Sequence, residues 1–102
     1  MIKLALSARM EAKPGKEAAV ADLLAAGLDL ARQEATTPIW FALRLSPTTF
    51  GVFDAFHDEA GRQTHLAGPI AQALVAKAPE LFVAPPSIVP VEVLGLKNTG
   101  AV

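Results

Sequence analysis

The stretch Ile39-Trp40-Phe41-Ala42-Leu43-Arg44-Leu45-Ser46-Pro47-Thr48-Thr49-Phe50-Gly51-Val52-Phe53-Asp54-Ala55-Phe56 decides the fold. In its first half Ile39, Phe41, Leu43 and Leu45 alternate with Trp40, Ala42 and Arg44, which is the period of a strand that is largely apolar on both faces. Ser46-Pro47-Thr48 is a turn too short for a crossover between parallel strands, so the second half must return antiparallel as a hairpin. On the returning strand Phe50, Val52, Asp54 and Phe56 share one face, and Gly51, Phe53 and Ala55 the other.

Working outward toward the N-terminus, Ile2, Leu4, Leu6, Ala8 and Met10 alternate with Lys3, Ala5, Ser7, Arg9 and Glu11 to make an earlier strand. Lys13-Pro14-Gly15-Lys16-Glu17 breaks that pattern. From Lys16 to about Ala35 the apolar residues Val20, Leu23, Leu24, Gly27, Leu28 and Ala31 recur at helical intervals, with Lys16, Asp22, Asp29 and Gln33 on the far side. Gly27 costs such a helix about 1 kcal/mol against Ala, which predicts close approach of the sheet backbone. Thr36-Thr37-Pro38 is a loop.

Toward the C-terminus, Asp58 suits an N-cap and Glu59 the first turn of a short helix. Gly68 is predicted as its C-terminal cap, and Pro69 opens a second helix whose Ile70, Ala73, Leu74 and Leu81 face inward. Pro79 is placed to bend the end of that helix. After Pro85-Pro86, Val89, Val91 and Val93 alternate with Pro90, Glu92 and Leu94, and the missing N–H of Pro90 predicts that this last strand lies at an edge or begins pairing only after it. The segment from Lys97 to Val102 reads as a frayed tail.

Strand, helix, hairpin, two short helices and strand give the α+β, ferredoxin-like βαββαβ sandwich, with both helical units on one face of a four-stranded antiparallel sheet. A chain of 102 residues is the length of one domain, residues 1–102. Its 52% hydrophobic content is more than so small a domain can bury, and the apolar strand face left bare by the helices predicts a homodimer. A formal charge of −1 with no basic cluster argues against nucleic acid. The absence of cysteine excludes disulfides and thiol chemistry and fits a cytoplasmic location. No run approaches the roughly 20 apolar residues of a membrane span, and the first residues are too short and too alternating for a signal peptide.

With Lys13-Pro14-Gly15-Lys16-Glu17 after the first strand, Phe53-Asp54-Ala55-Phe56-His57-Asp58-Glu59-Ala60 ending the hairpin, and His65-Leu66 beyond it, nearly the whole chain resembles the antibiotic biosynthesis monooxygenase superfamily. The resemblance implies a dimeric α+β barrel and a cofactor-free oxygenase acting on a small quinol, phenol or polyketide-like aromatic. It matches Asp54 and Phe56 to the family's acidic and aromatic pair, and His65 to a helical His over a pocket between helices and sheet. Ser7 is the loose counterpart of a polar first-strand residue that reaches the same pocket. Two positions depart from the pattern. Phe56 stands where Trp is usual, and Pro69-Ile70 where a Pro-His pair is common. These departures favour, as the alternative, a non-catalytic small-molecule-binding dimer; a haem-binding or haem-degrading variant ranks third, because the altered aromatic and the lack of a clear Asn on the first strand offset the retained His65.

His65 is the candidate catalytic base, because a neutral imidazole with a pKa near 6.5 can take a proton from a phenol or quinol. The alternative is that it packs or caps at a helix end. Trp40, Phe53 and Phe56, with Phe50, are candidates to line an apolar substrate pocket, although core packing is the commoner fate of a Trp. Asp54 is costly to bury unpaired. It is predicted either to pair with Arg44 on the neighbouring strand or to orient substrate. His57 sits at a wet corner, and Arg9 and Arg62 read as solvated. The two histidines show no metal-ligand spacing, and Gly61 and Gly68 form no phosphate loop. No cofactor is expected.

Overall fold

The computed structural model describes residues 1–97; the frayed tail expected beyond Lys97 lies outside the described residues. The elements run β1 (Leu4–Glu11), α1 (Glu17–Ala31), β2 (Ile39–Arg44), β3 (Thr49–Phe56), α2 (Glu59–Leu66), α3 (Pro69–Leu81) and β4 (Ser87–Glu92). The four strands form one antiparallel sheet in the order β2-β3-β1-β4. This is the ferredoxin-like order expected, with β2 and β4 at the edges.

Residues directly opposite one another in antiparallel strands point to the same face, so the register divides the side chains. Asp54 lies between Leu6 and Trp40, Val52 between Ala8 and Ala42, and Phe50 between Met10 and Arg44. This face takes the helices: Met10, Phe50 and Val52 join Val20 and Leu24 of α1 and Ile70 and Leu74 of α3 in the buried core. The opposite face carries Phe41, Leu43, Leu45 and Val89, at 50%, 38%, 49% and 49% exposure. Among the described residues, no helix is long and apolar enough to cross a membrane.

Four local expectations change. Helix α1 ends at Ala31, short of Ala35, and residues 32–37 turn back on themselves through Glu34 N–H to Ala31 O and Thr37 N–H to Glu34 O. A Cβ on Gly27 would meet the Trp40 ring at 3.2 and 3.3 Å, so the close approach is to an indole and not to sheet backbone. Arg44 is four residues along the strand from the position opposite Asp54 and cannot pair with it; its guanidinium lies over the Phe50 ring, 4.6 Å from the centroid, and bonds the Pro47 carbonyl. Gly68 is the N-cap of α3, with φ −87°, while Ala67 closes α2. Asp58 caps α2 as expected, its Oδ1 accepting from Gly61 N–H at 2.8 Å, and Pro69 opens α3.

Candidate functional site

Helix α2 is polar, and its two buried residues, Gly61 and His65, stand one turn apart on the same side. A Cβ at Gly61 would sit 3.0 Å from the Thr36 carbonyl oxygen, so the bare glycine is what lets α2 lie against the loop after α1. That loop carries Glu34, which Thr37 turns inward by donating its hydroxyl to Oε1 at 2.9 Å. Helix and loop therefore bring His65 Nδ1 to 2.6 Å from Glu34 Oε1. On the other side His65 Nε2 lies 2.9 Å from Asp54 Oδ2 of β3. The side chains of His65, Asp54 and Glu34 are 6%, 3% and 14% exposed, which makes this a buried carboxylate–imidazole–carboxylate row. Phe56 packs its ring against the imidazole at 5.4 Å between centroids.

Two carboxylates facing the two ring nitrogens require both nitrogens to donate, and only the imidazolium does so. Burial is the largest single influence on His65 and by itself would lower its pKa. The hydrogen bonds and charges of Asp54 and Glu34 together outweigh it, and the pKa is raised. The neutral imidazole with a free nitrogen, expected from the sequence, is not what this geometry provides.

Three buried polar atoms here have no partner among the described residues: Asp54 Oδ1, Glu34 Oε2 and Trp40 Nε1. Asp54 and His65 also line a cavity of about 30 Å³ between the helices and the sheet, walled mainly by Leu6, Val52, Leu66, Ile70, Leu74 and Ile88. That is room for a water molecule, and a tenth or less of the roughly 300–1,000 Å³ of a ligand pocket. The expected aromatic lining is absent: Trp40, Phe50, Phe53 and Phe56 do not border this cavity. A concavity of about 800 Å³ beside His57 and another of about 360 Å³ along Pro79 and Phe82 include none of the three ionisable residues.

Of the residues singled out from the sequence, the structure brings His65, Asp54 and Phe56 together, with Trp40 directly across from Asp54. Ser7 and Phe53 are opposite each other on the far face of the sheet and do not join them. Arg62, expected in solvent, is only 14% exposed and reaches Glu59 and the Ala5 carbonyl. Glu34 was missed because it fell within the helix predicted to about Ala35. Only the Glu34–Thr37 spacing hinted at a turn with a paired side chain. Among the described residues, no group of three His, Asp or Glu side chains converges to hold a metal ion. In the row just described each ring nitrogen is already committed to its own carboxylate.

No family model matches the sequence, and no curated protein matches it. Among solved structures it is similar to NE2512, a protein of unknown function from Nitrosomonas europaea, with 60% identity over 96% of this chain and 95% of that one and a TM-score of 0.94. A candidate antibiotic biosynthesis monooxygenase from Deinococcus radiodurans matches at 21% identity over 93% and 96% of the two chains, TM-score 0.76. A further structure named antibiotic biosynthesis monooxygenase matches at 19% identity over 90% and 99%, TM-score 0.76. The last two share the fold.

Proposed function

From the premise that this chain belongs to the family of Nitrosomonas europaea NE2512 and is built on the antibiotic biosynthesis monooxygenase fold, we propose that it is a cofactor-independent monooxygenase of a small quinol or phenol. It works as a cytoplasmic homodimer, with the bare apolar sheet face against a second copy. The observation that carries the reading is Asp54, which lines an apolar-walled cavity, has an unpaired Oδ1 and is backed by His65. A hydroxyl entering the cavity meets Asp54, and the carboxylate takes its proton while the imidazolium behind it balances the charge. The quinol anion passes one electron to O₂, and the resulting semiquinone and superoxide join at a ring carbon. The proton returns to that peroxide, which loses water. The sum is hydroquinone plus O₂ to hydroxyquinone plus water. Binding widens the cavity on its α3–β4 side, where Leu74 and Ile88 form the wall.

Oxygen uptake with a panel of substituted hydroquinones tests this. The expected result is one O₂ per quinol above buffer autoxidation, falling by roughly 100-fold or more in Asp54→Asn. Uptake no faster than the buffer control across the panel would sink it.

A second reading has its own observation, the small cavity with both imidazole nitrogens committed. In that reading the dimer holds a small apolar or aromatic ligand without transforming it. Ligand-dependent thermal stabilisation with no oxygen consumed and no product formed would favour it.

A further inference from the structure

The row has two carboxylates and one imidazole, and only one end faces the cavity. If Asp54 alone held the ring, Nδ1 would be left without a partner in a buried place and the ring free to turn. Glu34 removes that freedom. It arrives on the loop after α1, fixed by Thr37 Oγ1 on Oε1, and with its Oε2 against the spot where Gly68 lacks a Cβ, 3.3 Å away. Larger residues at 61 or 68 would push α2 and this carboxylate apart. We infer that Glu34 is the positioning residue of the site: its Oε1 accepts Nδ1–H of His65, turns Nε2 onto Asp54 Oδ2, and leaves Asp54 Oδ1 as the atom a ligand meets. The role of that last atom in turnover rests on the oxygenase reading, whereas the positioning does not.

The charged groups facing the imidazole are Asp54 from β3 and Glu34 from the α1–β2 loop. On α2 itself Arg62 turns away to Glu59 and the Ala5 carbonyl. The isosteric Glu34→Gln keeps the volume and removes the charge, so its effect separates positioning by a carboxylate from simple packing.

The test is a pH series of histidine side-chain ¹H–¹⁵N correlation spectra on the full chain. His57, the other of its two histidines, is exposed and gives the reference signals. In the wild type both nitrogens of His65 carry protons below its midpoint, which lies above the ordinary value of about 6.5, with a downfield Nδ1–H resonance. In Glu34→Gln the midpoint of His65 moves to lower pH. In Thr37→Val, which loosens Glu34 without touching the ring, the Nδ1–H resonance broadens and weakens. A wild-type His65 midpoint at or below about 6.5 overturns the inference without recourse to any variant. So does a Glu34→Gln titration superimposable on the wild type. If the midpoint moves while no quinol is consumed, the positioning stands and the oxygenase reading falls.

Discussion

The protonation of His65 has a consequence for stability that is readily measured. Its pKa in the folded chain is raised above the ordinary value, whereas in the unfolded chain it returns to about 6.5. Between those two values the folded chain keeps a proton that the unfolded chain has released, so stability falls as pH rises. The contribution is complete below about pH 6.5 and is lost as pH passes through the folded value. One such group gives a slope of at most about 1.4 kcal/mol per pH unit, and between pH 6.5 and 7.5 a loss of up to about 1 kcal/mol. Against the roughly 5–15 kcal/mol of a domain this size, and a urea dependence of about 1–3 kcal/mol per molar, the midpoint should drop by about 0.3–1 M. Urea titrations at fixed protein concentration, in a His57→Gln background to remove the other imidazole, read this directly. Asp54→Asn, which takes away one of the two charges, should flatten the slope. A midpoint that is constant or rises from pH 6.5 to 7.5 would refute a buried imidazolium held by two carboxylates.

Gly61→Ala places a methyl 3.0 Å from the Thr36 carbonyl; a loss of about 1–3 kcal/mol is expected by urea denaturation, with weakening of the His65–Glu34 contact. Gly27→Val drives two methyls into the Trp40 ring, so the emission of this sole tryptophan should shift to the red with a stability loss of similar size. The proposed homodimer predicts that the wild type sediments as a dimer and that Phe41→Asp, on the bare sheet face where Phe41 is 50% exposed, sediments as a monomer with the far-UV circular dichroism unchanged. Persistence of the dimer would place the interface elsewhere.

The fold was legible because its signals are local and repeated. Alternation in 39–56 with a three-residue turn forces a hairpin, and Pro90 points to an edge strand or a late start to pairing, of which the ladder from Ser87 to Glu92 selects the first. The site was only half legible. Asp54, Phe56 and His65 stand close in sequence at the end of β3 and on the next helix, so spacing brought them together. Glu34 comes from across the domain, and its contact depends on where α1 stops and on how near α2 lies, neither of which a 3.6-residue period reports. The Arg44 pairing failed for a related reason. Neighbouring strands do not pair every charge on them, and the register of a hairpin puts Arg44 near the turn and Asp54 at the far end. Ser7 failed by parity, since it faces Phe53 and not Asp54 across the β1–β3 ladder.

A buried ion row that served only to hold the fold together would be expected to satisfy its own atoms, because an orphaned carboxylate oxygen costs about 1–3 kcal/mol. Such rows are often matched or exceeded in stability by apolar side chains of similar volume. Here the row leaves one oxygen unpartnered at each end, Glu34 Oε2 and Asp54 Oδ1, and the Asp54 end is the one beside the cavity. The wall there also includes an edge of the sheet. Ile88 belongs to β4, an edge strand with a single neighbour, and Pro90 brings no N–H to the ladder opposite Leu6, itself a cavity residue. Across the gap Leu74 sits on α3, which has Pro79 within its last turn. An unsatisfied acceptor and a weakly held wall around the same small space are each unfavourable for a static core. Together they are what a pocket needs if it is to open for a hydroxyl-bearing guest and close over it.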